Sequence, residues 1–242
     1  MEVDRAGPGP GSSRAKGRLP SQLRTIVSER CVLDRADGSA KWTQEGSCVL
    51  AAVYGPRQAK VQREDGERAV VEVVYKPRAG LQGHTERSRE LDIRGVLEGI
   101  IPLGMHPRTS IMVVLQVIQD DGSVLSCALN AAVAALVDAG VPLNSMCASA
   151  SCVLTQEGQL LLDPDSCEEK AATAQFCFTF PHHFDLTKSA EGEAVVSQAA
   201  LGCRSHGNFK TGHLLEALQL CALGCQRVAA FARLSLSKSL PA

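Results

Sequence analysis

The chain has 242 residues, of which 45% are hydrophobic, and its formal net charge is −1. This length and composition suit one large domain or two small ones with ample core. The near-neutral charge excludes a global basic field, so binding of nucleic acid would need a local basic patch. We expect no signal peptide and no transmembrane segment, because no apolar run approaches the ~18 residues that a span requires.

The cysteines indicate a reducing environment. Ten are present, and none forms a CxxC pair. Cys127, Cys177, Cys221 and Cys225 lie in apolar stretches. We therefore expect buried free thiols rather than zinc ligands or disulfides.

The N-terminal third begins with a polar tail and continues into strands. Residues 1–20 are rich in Gly, Pro, Ser and Arg, which is typical of a disordered tail, although its basic residues could contact RNA loosely. Those basic residues are Arg5, Arg14, Lys16 and Arg18. Beyond the tail, turn signals separate runs of β-forming residues. The predicted strands cover residues 24–33, 40–44, 47–54 and 69–75, and the first three form an antiparallel meander.

A buried strand, an acidic glycine turn and a buried helix form the centre of the chain. Residues 111–118 are almost unbroken apolar, so both faces of this strand must be covered. Residues 120–123 read Asp-Asp-Gly-Ser, which is a turn composition. Residues 124–139 are small and apolar nearly all round, which indicates a helix buried on most sides. The turn places backbone N–H groups at the start of this helix, where an anion can bind.

The other predicted elements flank this centre, with an amphipathic helix over residues 86–101 before it. The elements after it are a hairpin over residues 147–162, a strand at 176–180, a turn at 181–188, short strands up to 201, a polar loop at 203–210, a helix from 211 and a fraying tail after 236. Strands cluster at both ends of the chain, which excludes a regular parallel βαβ fold. We predict a two-layer α/β (α+β) domain with mixed β-sheets packed on helices.

Four segments occur in a specific order: DGSAKWTQEGSCVLAAVYGP, YKPRAG, HPRTSIMVVLQVIQDDGSVLSCALNAAVAALVDAGVP and GQLLLDPDSCEEKAAT. Together they resemble the RNase PH family, and most of all its members that form the ring of the RNA exosome. The resemblance implies a single RNase PH-like domain over residues 21–236, with tails at 1–20 and 237–242. It also implies a phosphorolytic 3′→5′ exoribonuclease fold, in which inorganic phosphate as co-substrate attacks the terminal phosphodiester of RNA.

At the phosphate site this chain departs from the family pattern. Active members read roughly Asp-Gly-Gly-Thr-Arg at the turn, whereas Val124 and Leu125 stand here in the Thr and Arg positions. Loss of a charge-assisted hydrogen bond, worth about 1.5–3 kcal/mol, and of a hydroxyl should weaken phosphate binding about a hundredfold or more. The residues left to bind phosphate are Gly122, Ser123, Ser126 and Arg87, although Thr85 aligns with the second family arginine without a gap.

Asp163 and Glu169 occupy the positions where the family places two carboxylates, as general acid or metal ligand. Such a pair can hold a divalent cation such as Mg²⁺ or protonate a leaving oxygen. The residues alone allow another interpretation, in which Asp163 caps the turn before Pro164. Glu168 and Glu169 would then form the acidic first turn of a helix.

Basic residues flank the strand ends near the central turn, and the resemblance implies that they line the path of the RNA 3′ end. The candidates are Lys76, Arg78, Arg89 and Arg108. They would bind phosphates without reading sequence. A solvated basic face is the alternative. His182 and His183 could suggest a metal site, but histidines in turns are commoner.

Three functions are consistent with these residues. The first is an RNA-binding subunit of the exosome ring with a weakened catalytic site. The second is an active phosphorolytic exoribonuclease that uses the turn, Ser126, Asp163 and Glu169. The third is a metal-dependent hydrolytic nuclease on RNA or DNA that uses Glu157, Asp163, Asp165 and Glu169. The missing Thr and Arg favour the first function.

The strands also predict assembly, because an open mixed sheet leaves edges that must be covered. The resemblance implies pairing with other RNase PH-like exosome ring subunits. For the isolated chain we expect a two-fold homodimer that buries more than about 1,000 Å². Membership of an exosome would place the protein in the nucleus and nucleolus, and also in the cytoplasm.

Overall fold

The computed structural model describes residue 14, residues 17–182 and residues 199–239. Within these residues the chain forms nine strands, four α-helices and a short 3₁₀ helix at Leu103–Met105. The strands are β1 (Ile26–Arg30), β2 (Gly38–Gln44), β3 (Ser47–Gln58), β4 (Val70–Lys76), β5 (Thr109–Gln119), β6 (Met146–Leu154), β7 (Leu160–Leu162), β8 (Ala174–His182) and β9 (Gly202–Gly207). The α-helices are α1 (His84–Ile100), α2 (Val124–Asp138), α3 (Ser166–Ala171) and α4 (Thr211–Ser239).

The first sheet has the strand order β1-β2-β3-β5-β4. Strands β1, β2 and β3 form the predicted antiparallel meander. Strands β4 and β5 are parallel, with Lys76 opposite Gln116, because α1 carries the chain back between them. The carboxyl ends of β4 and β5, and the loops that follow them, therefore lie at the same edge of the sheet.

The second sheet is antiparallel throughout and has the order β7-β6-β8-β9. Its last strand corrects the sequence analysis, which predicted a polar loop over residues 203–210. β9 pairs along β8, with Arg204 opposite Cys177 and His206 opposite Gln175. It is an edge strand with no buried residue, so it lacks the apolar alternation on which the prediction of a strand depends.

Helix α2 lies between the two sheets and forms the centre of the core. On one side the Cys127 thiol lies 3.5 Å from the carbonyl oxygen of Trp42 in β2. On the other side, Asn130 exchanges two hydrogen bonds of 2.9 and 3.0 Å with the backbone of Ser149 in β6. The small side chains of α2 let both sheets approach closely, as the sequence predicted.

Helix α4, predicted to begin at residue 211, covers the second sheet with an apolar stripe. Ala217, Cys221, Cys225 and Val228 are buried along this stripe, and the Cys225 thiol contacts the carbonyl oxygen of Phe178 in β8 at 3.8 Å. By length and composition, 28 residues of α4 would suffice to cross a membrane, so the expectation that no segment could do so is wrong on that count. The packed stripe is what a core helix of a globular fold shows as well.

Most boundaries differ from the prediction by a few residues, and two of these differences lie near the C-terminus. Helix α4 continues through Ser239, so the predicted tail after residue 236 is helical for three more residues. β8 extends through His182, so the predicted turn at residues 181–188 begins inside a strand. Several predictions fall outside the described residues. They are the rest of that turn with His183, the predicted strands up to residue 198, and the tail residues Arg5 and Lys16.

All ten cysteines are free, as predicted. Seven are buried, and burial raises the pKa of the Cys147 thiol to about 12. The expectation of buried thiols is wrong for three of them, since Cys31, Cys167 and Cys203 are exposed.

Candidate functional site

A cleft of about 420 Å³ opens at the carboxyl end of β5. The start of α1, the turn before α2 and the second sheet form its walls. Its lining includes the basic side chains of His84, Arg89, Arg204 and His206 and the acidic side chains of Asp120 and Glu169. Basic side chains around a helix start that presents free N–H groups are typical of an anion-binding cleft.

The turn before α2 has a left-handed backbone at two consecutive residues, with φ of 82° at Gly122 and 54° at Ser123. The Ser47 hydroxyl donates to the Gly122 carbonyl at 2.7 Å and accepts the N–H of Asp121 at 3.0 Å. A Cβ atom on Gly122 would lie 2.6 Å from the carbonyl oxygen of Pro164. Only glycine therefore lets this turn pack against the segment that follows β7.

A buried ion pair between Arg24 and Asp163 holds the backbone of the turn before α2. The Arg24 guanidinium donates to Asp163 Oδ1 at 2.7 and 3.0 Å, and its backbone N–H donates to Asp163 Oδ2 at 2.8 Å. The same guanidinium donates to the carbonyl oxygens of Asp121 and Gly122 at 2.8 and 3.1 Å. Burial alone would lower the pKa of Arg24, but the hydrogen bonds and charge of Asp163 outweigh it and raise that pKa. We name the pair the Arg24–Asp163 clamp.

The clamp changes the interpretation of Asp163. Asp163 was predicted to share a cation or the catalytic acid role with Glu169, but its side chain is 3% exposed and does not line the cleft. Both of its carboxylate oxygens accept hydrogen bonds from Arg24. Its chemistry is therefore that of a structural anchor, and of the predicted pair only Glu169 faces the cleft.

The residues predicted to hold Mg²⁺ do not fit a metal site. Mg²⁺ requires near-octahedral oxygen ligation, and the oxygens of Asp163 are already taken by a cation. The described residues contain no group of three or more His, Cys, Asp or Glu side chains arranged to hold a metal ion. The acidic set of the hydrolytic alternative is also dispersed, since Glu157 is exposed in the turn between β6 and β7 and Asp165 caps α3.

Glu169 lies at the N-terminal end of α2. Its Oε1 atom accepts the backbone N–H of Ser123 at 2.6 Å. Burial raises the pKa of the Glu169 carboxyl, and the charge of Asp120 adds to the rise, although the Ser123 N–H opposes it. Glu169 also belongs to the acidic first turn of α3, which is the alternative that the residues alone had allowed.

Helix α3, which carries Glu169, is anchored by the N-terminal segment. Arg14 is 6% exposed, and its guanidinium donates to both carboxylate oxygens of Glu168 at 2.8 and 2.9 Å. Arg18 donates to the carbonyl oxygen of Asp163 at 3.1 Å. Burial would raise the pKa of Glu168, but the bonds from Arg14 and the N–H of Asp165 outweigh it and lower that pKa. The prediction of a disordered tail is therefore wrong for Arg14 and Arg18.

Of the four predicted phosphate ligands, Gly122, Ser126 and Arg87 do not line the cleft, and only Ser123 does. Ser126 is 1% exposed, and its hydroxyl donates to the carbonyl oxygen of Ser123 at 2.8 Å. Arg87 lies on α1 but does not line the cleft, whereas Thr85 and Arg89 do. Residues two positions apart on a helix point about 200° apart, which separates Arg87 from Arg89.

The predicted RNA-binding residues divide between two ends of the first sheet. Lys76, the last residue of β4, and Arg78, in the loop that follows, are exposed on the same edge as the turn. Gln116 of β5 donates to the carbonyl oxygen of Pro77 in this loop at 3.2 Å. Arg108 precedes β5 and therefore lies one strand length from the turn, where it pairs with Glu64 at 3.5 Å. The expectation that Arg108 sits beside the turn is wrong.

Two basic residues of the cleft are held by neighbouring side chains. Arg89 lies over the ring of Tyr75 at 5.6 Å from its centroid and donates to the Tyr75 hydroxyl at 3.1 Å. Arg204 pairs with Asp92 of α1 and donates to the Ser88 hydroxyl at 3.1 Å. Neither Arg204 nor Arg24 was predicted as a site residue. β9 lacks apolar alternation, so no local signal marked Arg204, and none marked Arg24.

Comparison with known proteins places the chain in a family. The model of the 3′ exoribonuclease family, domain 1 (RNase PH), matches residues 22–142. The Arabidopsis thaliana protein named "Exosome complex exonuclease RRP46 homolog" is 42% identical over 196 residues, which cover 81% of this chain and 78% of that protein. A protein of the same name from Oryza sativa subsp. japonica is 36% identical over 232 residues, which cover 95% and 98%. The chain therefore belongs to the RNase PH family, as predicted.

Solved structures agree with this assignment. The crystal structure of rice Rrp46 matches with a TM-score of 0.81 at 35% identity, over 92% of this chain and all of that one (100%). A chain of the Archaeoglobus fulgidus exosome with RNA bound to the active site matches with a TM-score of 0.74 over 90% of this chain and 92% of that one, at 16% identity. The second likeness shows the fold alone. The predicted fold class, mixed α/β with sheets packed on helices, is confirmed, but the prediction of two layers is wrong because α2 lies between the two sheets.

Proposed function

We propose that this chain is an RNase PH-like subunit of an RNA exosome ring that binds the 3′ end of single-stranded RNA. Its role would be 3′→5′ RNA processing and degradation, including the processing of ribosomal RNA. The observation that carries the proposal is the cleft, which brings Arg89 and Arg204 onto one concave surface beside the start of α2. The names of the similar proteins from Arabidopsis and rice support the assignment to an exosome.

The basic groups suit a nucleic-acid backbone rather than a particular base. Arg89 and Arg204 line the cleft, while Lys76 at the end of β4 and Arg78 in the next loop are exposed at the same edge of the sheet. Charges spread along a path of this kind neutralise successive phosphates and bind without sequence preference. RNA is therefore proposed to follow the edge of the sheet from Lys76 and Arg78 into the cleft.

Any phosphorolysis by this chain is proposed to be slow. Enzymes of the family use inorganic phosphate as co-substrate, and Val124 and Leu125 line the cleft where the family pattern has Thr and Arg. Without the guanidinium fork, phosphate loses its strongest charge-assisted contact. Glu169 is the member of the predicted carboxylate pair that faces the cleft, and we propose it as the general acid that protonates the leaving 3′ oxygen.

The test separates binding from chemistry. Fluorescently labelled single-stranded RNA is titrated with the purified protein and then incubated with or without phosphate, Mg²⁺ and EDTA. We expect binding, with at most slow release of nucleoside diphosphates that depends on phosphate. Metal-dependent release of monophosphates would instead support the hydrolytic alternative.

A matched pair of variants locates the binding. Arg89→Ala should weaken RNA binding, because it removes a cleft charge. Arg63→Ala removes the same charge from a side chain that is 66% exposed and outside the cleft, and it should leave binding unchanged. Equal affinities for both variants and the unmodified chain would move the RNA path away from the cleft.

For assembly, we propose a homodimer when the protein is isolated and heteromeric pairing with other RNase PH-like subunits in the exosome. The terminal strands of the two described sheets, β1, β4, β7 and β9, offer edges for such pairing. Light scattering that gives a mass near 25.6 kDa at micromolar concentration would overturn the homodimer. Nuclear, nucleolar and cytoplasmic location follows from the exosome role and can be checked by microscopy of the tagged protein.

A further inference from the structure

The N–H group best placed to bind phosphate already has an anionic partner. Ser123 stands at the N-cap of α2, and its N–H donates to Glu169 Oε1 at 2.6 Å. A distance this short is characteristic of a charge-assisted hydrogen bond. The carboxylate thus occupies the place that an oxygen of inorganic phosphate would take at the start of this helix.

The position of this carboxylate is built into the fold. α3 is short, and its N-cap residue Asp165 accepts the N–H groups of Cys167 and Glu168 at 3.0 and 2.8 Å. Arg14 holds the Glu168 side chain from the outer side, while Gln175 of β8 donates to the carbonyl oxygen of Glu169 at 3.1 Å. The backbone that carries Glu169 is therefore fixed on both sides.

The replacement of the family's Thr and Arg by Val124 and Leu125 favours the Glu169 carboxylate over phosphate at the Ser123 N–H. Val124 and Leu125 line the cleft next to Ser123 and contribute no hydrogen-bond donor from their side chains. An incoming phosphate must therefore displace Glu169 from the Ser123 N–H without a guanidinium fork in compensation. It must also approach two carboxylates, since Asp120 lines the same cleft.

We propose that Glu169 is a built-in competitor of inorganic phosphate, whose carboxylate occupies the Ser123 N–H until the side chain moves away. The proposal rests on the proposed function, in which this turn is the phosphate site. It adds that the chain discriminates against phosphate by an attractive internal contact, and not only by the missing Thr and Arg. RNA binding at Arg89, Lys76 and Arg78 does not require the Ser123 N–H and stays intact.

The test is calorimetric titration of the full chain with inorganic phosphate. Glu169→Gln keeps an oxygen that can accept the Ser123 N–H but removes the charge, and Glu169→Ala removes both. We expect phosphate affinity to rise in the order unmodified, Glu169→Gln, Glu169→Ala, with the last gain about tenfold or more, the equivalent of one displaced charge-assisted hydrogen bond. Asp120→Asn is the matched control, because it removes a charge from the same cleft without freeing this N–H.

Two results would overturn the proposal. One is an affinity for phosphate that is the same, or too weak to measure, in both Glu169 variants and in the unmodified chain. The other is an equal gain in Asp120→Asn, which would reduce the effect to general repulsion. RNA titration of the same samples tests the proposed function separately. If the variants bind RNA but gain no affinity for phosphate, the role of Glu169 as a competitor is rejected and the exosome role is not. Glu169→Gln keeps the test open if Glu169→Ala does not fold.

Discussion

Arg24 and Asp163 form a buried ion pair whose side chains are 1% and 3% exposed, although 139 positions of sequence separate them. The pair joins the segment before β1 to the end of β7, and the same guanidinium holds two carbonyl oxygens of the turn before α2. The geometry of the candidate site therefore depends on a residue that does not line the cleft.

Breaking this clamp should strongly destabilise the fold. Arg24→Ala leaves the Asp163 carboxylate buried and unpaired, and such a change typically costs about 3–5 kcal/mol of unfolding free energy. Urea denaturation of the variant measures the loss. Lys41→Ala is the control, because the Lys41–Glu29 pair is 36% and 55% exposed and should contribute less than about 1 kcal/mol. A loss no larger than that of the control would contradict the anchoring role of the clamp.

RNA binding should depend on which end of the first sheet carries the basic residue. Replacing Lys76 and Arg78 with Glu should weaken binding of single-stranded RNA and flatten its salt dependence, because two phosphate contacts are lost. Arg108→Glu changes charge at the opposite end of β5 and should have a much smaller effect. Anisotropy titrations at several salt concentrations measure both. Unchanged binding in the Lys76 and Arg78 variant would place the RNA elsewhere.

Restoring the family's phosphate ligands should strengthen phosphate binding. Val124→Thr combined with Leu125→Arg returns a hydroxyl and a bidentate guanidinium to positions that line the cleft, and affinity should rise about tenfold or more. Leu125→Lys with Val124→Thr supplies the charge without the planar fork and should gain less. Phosphate titration and the rate of diphosphate release test this. No gain from the arginine would mean that the chemistry does not occur at this turn.

The two effects of Glu169 should separate in kinetics. If any phosphorolysis is measurable, Glu169→Gln should lower kcat, because the proposed acid is lost, and should lower the KM for phosphate, because its competitor is lost. A fall in kcat with an unchanged KM would support the acid and reject the competitor.

The Arg14–Glu168 pair should make stability depend on pH. The folded-state pKa of Glu168 lies below its ordinary value of 4.5, so the stabilisation is present at pH above that value. It is lost as the pH falls through the lowered folded-state pKa. The unfolding free energy of Arg14→Ala should therefore differ most from the unmodified chain near neutral pH, with a difference that shrinks below about pH 4. A difference that is constant with pH would mean that Arg14 acts through packing alone, and Arg63→Ala, from an exposed pair, is the control.

Much of the architecture was predictable because its signals are local. The apolar run of β5, the turn composition before α2 and the small residues of α2 each lie within one element, and the structure forms all three as expected. The order of strands and helices likewise excluded a regular parallel fold. β9 was predicted as a polar loop because an exposed edge strand carries no apolar alternation.

The candidate site was less predictable because it depends on directions and distances across elements. Arg87 and Arg89 are both near the start of α1, and only the phase of the helix decides that Arg89 lines the cleft. Asp163 and Glu169 are six positions apart, yet the Asp163 carboxylate forms an ion pair with Arg24, which comes from a distant segment. The position of Arg108, by contrast, was predictable from strand length. β5 has 11 residues and spans about 35 Å, so Arg108 at its start lies far from the turn at its end.

The long separation of Arg24 and Asp163 also bears on the order in which the protein folds. Asn130 and Ser149, only 19 positions apart, close a short loop and can pair early, whereas the clamp closes a loop of 139 positions. Closing a long loop loses more chain entropy, so contacts of this kind tend to form after the transition state. Removal of the clamp should then leave the folding rate almost unchanged and speed unfolding. The clamp would thus determine how long the folded site persists rather than how quickly it first forms.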